Sequence, residues 1–203
     1  IGIPANGGFI PKGLPGYNKN TGFEYNPEKA KQLIEDYKTQ TGNLNPEVTI
    51  TTTSNYLNFC EYIQRELTKI GLIVNVDVIP ASTIKEGKAN GKLDLFRASW
   101  VADYPDAQNY LSLFYSENFA PNGPNYTHFK DETFDTWYTQ SFLKSNVDER
   151  AKLYSKMDSL VLRKAPIVPL YYDEVIRFTH KKVSGIGNNP INLLQLKRVK
   201  KEL

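Results

Sequence analysis

The chain has 203 residues, 40% of them hydrophobic and 23% charged. That suffices for one well-buried domain, or a domain with part of another, and excludes disorder, collagen and coiled coil. The net charge of +3 resolves into a basic tail and a slightly acidic body: residues 180–203 carry six Lys or Arg against Glu202, which leaves 19 basic and 21 acidic residues in 1–179. The body thus has no phosphate-binding footprint, and no nucleic-acid partner is expected.

Residues 1–26, rich in Gly, Pro and Asn, read as an irregular lead-in. Asn26 as N-cap and Pro27 at the first helical position then start a helix running to about residue 39, with Ala30, Leu33, Ile34 and Tyr37 on one apolar stripe. Thr41-Gly42-Asn43 ends it, and the β-branched run Val48 to Thr53 predicts a strand. Ser54 or Asn55 is expected to cap a second helix, with Tyr56, Cys60, Ile63, Leu67 and Ile70 on one side. Gly71 stops that helix, and Leu72, Val74, Val76 and Val78 alternate in the next strand. Strand, helix and strand at this spacing predict a βαβ unit with a parallel pair and a right-handed crossover. A helical or looped segment near 81–91 leads to a third strand, Leu93 to Trp100.

Helical patterns follow near 106–115, 131–143 and 148–164, the last with Leu153, Tyr154, Met157, Leu160 and Val161 on one face. Ile167 to Tyr172 reads as a short buried strand, with Pro169 pointing to an edge or bulge. After the break at Gly185, Gly187 and Asn188-Asn189-Pro190, the run Ile191 to Val199 reads as a strand without an evident partner. No apolar run approaches the roughly 20 residues that span a bilayer, so a soluble protein is expected. No secretory leader stands at the start, but the chain opens on Ile1 rather than Met, so a leader is expected to lie upstream of it.

Signatures of enzymes are weak. The two histidines, His128 and His180, form no HExxH, and neither CxxC nor GxSxG occurs. Cys60 is the only cysteine, so it forms neither an intrachain disulfide nor a metal site by itself. Gly185-Ile186-Gly187 has Pro190 where a dinucleotide fingerprint needs its third glycine. Asp103 and Asp106 read most simply as turn residues around Pro105, with paired acid–base carboxylates as the alternative.

Aromatic clustering says more. Residues 96–142 contain 13 of the 25 aromatic residues, interleaved with Asp, Asn and Pro, as a cleft for amphipathic ligands requires. Phe114, Phe134, Trp137 and Phe142 fall at helical spacing and are expected in the core. Trp100 instead ends the third strand, where ligands gather in parallel α/β sheets.

The run Leu93-Asp94-Leu95-Phe96-Arg97-Ala98-Ser99-Trp100-Val101-Ala102-Asp103-Tyr104-Pro105-Asp106 resembles the cleft segment of the extracytoplasmic oligopeptide- and dipeptide-binding proteins of ABC importers. Pro11 to Tyr17 and Tyr25 to Leu33 upstream match in the same order. So do Asn125-Tyr126, Phe134-Asp135, Asp148-Glu149-Arg150, Leu153-Tyr154 and Ala165 to Tyr171 downstream. The resemblance implies an α/β lobe of the type II periplasmic-binding-protein kind, with a mixed, mostly parallel sheet flanked by helices. It also implies a fragment: lead-in at 1–26, C-terminal ligand-binding lobe at 27–183, and a segment, 184–203, that crosses back to a missing N-terminal lobe.

The implied partners are a peptide, ABC permease subunits in the membrane and the missing lobe. The implied location is extracytoplasmic, in the periplasm or as a tethered lipoprotein, and neither cofactor nor metal is implied. Asp103 matches the aspartate that receives a peptide's N-terminal ammonium. Ser99 and Val101 match positions whose main chain pairs with the peptide as an added strand. Trp100 would wall a side-chain pocket, and Arg97 matches an arginine that in some members meets the peptide's C-terminal carboxylate; a surface role for Arg97 stands beside this. Asn125 and Tyr126 are rim candidates. Nickel complexes and oligosaccharides are alternative ligands, because related proteins bind them. A hydrolase built on Asp103, Asp106 and a histidine is the competing class.

Overall fold

The computed structural model describes residues 2–189 and 193–202. In chain order the elements are β1 (Gly2–Pro4), α1 (Pro27–Thr41), β2 (Glu47–Thr52), α2 (Leu57–Lys69), β3 (Ile73–Val78), α3 (Ala81–Ala89), β4 (Leu95–Phe96), α4 (Ala107–Leu111), α5 (Glu132–Phe142), α6 (Val147–Lys164), β5 (Tyr171–Asp173), β6 (Val183–Ser184) and β7 (Lys200–Lys201). They fall into two compact units. One comprises 24–99 and 119–128; the other comprises 1–23, 100–118 and 129–203.

The first unit is built on a parallel sheet of order β3-β2-β4. β2, α2 and β3 form the βαβ unit expected from the sequence. Cys60 is fully buried from α2 against Ile50 and Val74, with Ile63, Leu67, Val48, Leu72 and Val76 packed around them. Asn26 caps α1 as expected: its Oδ1 accepts the Lys29 N–H at 2.9 Å, Pro27 is the first helical residue, and Gly42 closes the helix at φ 72°.

Three details of this unit differ from expectation. Residues Ser54–Tyr56 form a 3₁₀ turn, so α2 begins after Tyr56 with no side-chain cap. The third strand keeps only Leu95–Phe96 in register with β2; the Arg97 N–H still reaches the Thr51 carbonyl at 3.2 Å, and pairing then stops. The apolar stripe of α1 is not fully covered, since Leu33 and Tyr37 remain 55% and 46% exposed.

The second unit is mainly helical. Its core joins Ile10 and Leu14 of the lead-in with Leu111 and Phe114, with Phe134 and Tyr138 of α5, and with Tyr154, Met157 and Val161 of α6. Phe114 meets Phe9, Phe129 and Phe134 edge-to-face at 5.2–6.2 Å between ring centroids. Phe114 and Phe134 are core residues, as their spacing suggests, and Trp137 packs half-buried against them. Phe142, at the end of α5, is instead 61% exposed. Asn146 caps α6 by accepting the N–H groups of Asp148 and Glu149.

The lead-in is not wholly irregular, because β1 pairs antiparallel with β5. This ribbon also corrects the strand read at Ile167 to Tyr172: its ladder runs over Tyr171–Asp173, and Val168 and Leu170 are exposed. Pro169 has no N–H to donate, and the partner strand is three residues long. At the C-terminal end β6 pairs antiparallel with β7, so Lys200–Lys201 do have a partner within this chain. Residues 191 and 192 of the strand expected at Ile191 to Val199 lie outside the described residues, and 193–199 form no ladder.

Candidate functional site

The aromatic and acidic residues singled out in the sequence gather around a buried asparagine. Asn109, on α4, accepts the indole N–H of Trp100 with its Oδ1 at 2.8 Å. The same oxygen takes the backbone N–H of Asp103 at 3.3 Å, and the Asn109 amide donates to Oδ2 of Asp103 at 3.2 Å. One side chain therefore fixes an aromatic wall, a turn of main chain and a carboxylate. Asp103 itself is exposed, and among the described residues no cation forms an ion pair with it. Val101 is 70% exposed between Trp100 and Asp103 and belongs to no ladder.

Asp106 has different work. Its carboxylate caps α4 by accepting the Gln108 N–H at 2.9 Å and pairs with Arg150 at 3.3 Å. The pairing of Asp103 and Asp106 as acid and base therefore gains no support from their surroundings. Among the described residues no group of three or more His, Cys, Asp or Glu could hold a metal ion.

The remaining candidates lie in the unit that contains the parallel sheet. The Arg97 guanidinium stacks on the ring of Tyr56, 3.7 Å from its centroid, and reaches Ser99 Oγ at 3.5 Å. The Lys88 ammonium sits 4.1 Å from the Tyr126 ring centroid. Arg97 and Tyr126 line one cavity of about 250 Å³ near the end of β2, together with Tyr56, Lys85 and Lys88. Asn125 is fully buried: its backbone bridges Phe119, and its Oδ1 accepts the Thr127 hydroxyl at 3.0 Å. Its visible role is to hold the 119–128 loop that presents Tyr126.

Residues 1–122 match the family model described as bacterial extracellular solute-binding proteins, family 5 Middle. The chain belongs to this family. The chain is 26% identical over 197 residues to Di/tripeptide-binding protein 4 of Pseudomonas aeruginosa, covering 93% of this chain and 36% of that protein. DppA of Helicobacter pylori, solved in complex with the peptide STSA, superimposes with a TM-score of 0.79 at 26% identity, over 100% of this chain and 40% of that one. HbpA2 of Haemophilus parasuis shares the fold, with a TM-score of 0.83 at 24% identity, again over 100% and 40%. The chain thus spans about a third of the length of the curated relatives it matches. Among the described residues no helix is long and apolar enough to cross a membrane.

Asn109 is the residue that sequence reasoning missed. A polar side chain midway between Ala107 and Leu111 was the available sign: three of the five α4 residues are buried, and Asn109 lies between the other two. Replacing Asn109 with alanine would leave the Trp100 indole N–H and the Asp103 turn without their partner. A loss of about 1 kcal/mol in stability is expected from the hydrogen bond to half-buried Trp100 alone. Urea melts check the loss, and a red-shifted tryptophan emission at zero denaturant checks that Trp100 has been released.

Proposed function

We propose that this chain is the C-terminal lobe of an extracytoplasmic peptide-binding protein that delivers its ligand to an ABC permease, and that it performs no chemistry. The observation that carries this reading is the Asp103 carboxylate, exposed on one side and held from behind by Asn109. A carboxylate fixed in this way suits a peptide's N-terminal ammonium, and its pairing grows stronger as a cleft closes and excludes water. Trp100 supplies an apolar wall beside it. The main chain at Ser99 and Val101, in no ladder, offers N–H and C=O groups for pairing with a peptide as an added strand. The peptide-binding relatives and the STSA complex support the same ligand class.

The coverage of about a third of the relatives' length supports a second lobe as partner, with hinge closure between the two. Asp106, already engaged as a helix cap and ion-pair partner, favours binding over hydrolysis.

The chain alone is expected to bind peptides weakly or not at all, and to leave them uncleaved. Calorimetry with di- and tripeptides, followed by mass spectrometry of the recovered peptide, tests both. Nanomolar binding by the 203-residue chain would overturn the half-cleft reading, and cleavage would overturn the absence of chemistry.

A further inference from the structure

Beyond Arg150, the exposed face of α6 carries charge of one sign. Lys152, Lys156, Arg163 and Lys164 are exposed, whereas the one carboxylate in that stretch, Asp158, is fully buried. Lys164 pairs with Asp131, but among the described residues the other three cations have no carboxylate partner. Lys152 and Lys156 also stand four apart, where like charges repel. A cavity of about 320 Å³ opens on this face, lined by Ser155, Lys156, Ser159 and Arg163 of α6 and by Trp137 of α5. No carboxylate lines it, and both helices belong to the same unit.

The two serines set this cavity apart from ordinary helix surface. Beyond the first turn, every Ser or Thr hydroxyl on α1, α2 and α5 donates to a main-chain carbonyl three or four residues back, from Thr39 and Thr41 to Thr136, Thr139 and Ser141. Ser155 and Ser159, half-buried and one turn apart, make no such bond and have no other partner among the described residues. Their hydroxyls are free to donate into the cavity that they line. The Lys156 ammonium stands 6.0 Å from the Trp137 ring centroid, at the outer limit of a cation–π contact, so the ring holds it loosely.

Two cations and two free hydroxyls define the ligand. A carboxylate brings one charge on two oxygens, whereas a phosphate monoester brings close to two charges at neutral pH on three terminal oxygens. The monoester answers the four donor groups more fully, and a guanidinium meets it with two parallel bonds. The volume, at the lower end of the roughly 300–1,000 Å³ usual for small-ligand pockets, leaves room for an organic group beside the half-buried indole.

We propose that this cavity binds a small phosphate monoester, with its phosphoryl oxygens on Ser155, Lys156, Ser159 and Arg163 and its organic group against Trp137. None of these residues is among those assigned to the peptide, so the site is independent of the peptide-binding reading.

The test is an NMR titration of the 203-residue chain, at constant ionic strength, with phenyl phosphate, inorganic phosphate and phenylacetate. Phenyl phosphate should give saturable shifts at the Trp137 indole N–H and at the amides of Ser155, Ser159 and Arg163. It should bind about tenfold or more tightly than inorganic phosphate, which has no organic group, or phenylacetate, which has a carboxylate in place of the phosphate. The double substitution Ser155→Ala and Ser159→Ala removes two donors and leaves every charge in place. It should weaken phenyl phosphate about tenfold or more, with an unchanged far-ultraviolet circular dichroism spectrum showing that the fold is kept.

Binding that survives the serine substitutions would reduce the cavity to diffuse attraction by a basic helix face and overturn the proposal. Equal affinity for phenylacetate would remove the selection for phosphate, and equal affinity for inorganic phosphate would remove the part given to Trp137; either would overturn it as well.

Discussion

Asp103→Ala should weaken peptides with a free N-terminus by roughly 30- to 150-fold, or about 2–3 kcal/mol, when measured with the complementary lobe present. The same peptides acetylated at the N-terminus should bind weakly to both proteins and lose little further. The expectation follows from the state of the carboxylate. Its Oδ2 is held by the Asn109 amide, while its exposed side faces no cation of its own among the described residues. An ammonium arriving there makes a charge-assisted bond with little rearrangement, because Asn109 has already fixed both the carboxylate and the turn that bears it. An acetylated terminus offers no such donor and leaves the carboxylate unpaired, so the site rejects it. Calorimetry on matched free and acetylated peptides separates the two cases. Equal losses for both would remove the ammonium role and leave Asp103 as a structural residue of the turn.

What could be read in the sequence was what local chemistry dictates. The Asn26 cap, Pro27 and Gly42 act within a few residues of themselves, and so they fix the ends of α1 wherever that helix packs. The alternation from Leu72 to Val78 and the helical spacing of Cys60, Ile63 and Leu67 likewise gave the βαβ unit, because each pattern has one buried side. The pairing of Gly2–Pro4 with Tyr171–Asp173 was out of reach: it joins segments separated by most of the chain, and neither has a periodic pattern. Leu33 and Tyr37 show the converse limit, since an apolar stripe fixes the face of a helix but not how fully a neighbour covers it. At the site, Trp100 and Asp103 stood out by residue type and by position after a strand. Asn109 did not, because a helical asparagine becomes informative only when its burial and its three hydrogen bonds are known.

Asp158→Asn should make the protein more stable at neutral pH, while leaving it close to the parent in mild acid. Asp158 lies on α6 and is fully buried; its Oδ1 accepts the Phe9 N–H at 2.8 Å, and its Oδ2 has no partner. The backbone of Gly8 presses so closely on this carboxyl that a β-carbon added there would lie 1.8 Å from Oδ2. The Tyr172 hydroxyl, donating to the Gly8 carbonyl at 2.7 Å, helps hold that segment in place. Burial raises the carboxyl from its ordinary 3.8 to about 6, and the amides of Phe9 and Ile10 offset only part of the rise.

Between those two values the folded protein keeps a proton that the unfolded chain has released, so stability falls as pH rises through the interval. The stabilisation is complete below the lower value and gone above the upper one, a change of about 3 kcal/mol. Asparagine mimics the protonated carboxyl: it keeps an acceptor for Phe9 and has no charge to bury. Half-buried Glu66, held below its ordinary range first by its hydrogen bond from Lys69, loses its contribution as pH falls, so the parent's curve alone mixes two opposing slopes. The difference between parent and variant, from denaturant unfolding between about pH 4 and about pH 7, isolates Asp158. It should shift by about 2.4 kcal/mol in favour of the variant as pH rises across this range, most of the full change; parallel curves would mean that the carboxyl is solvated in the folded protein.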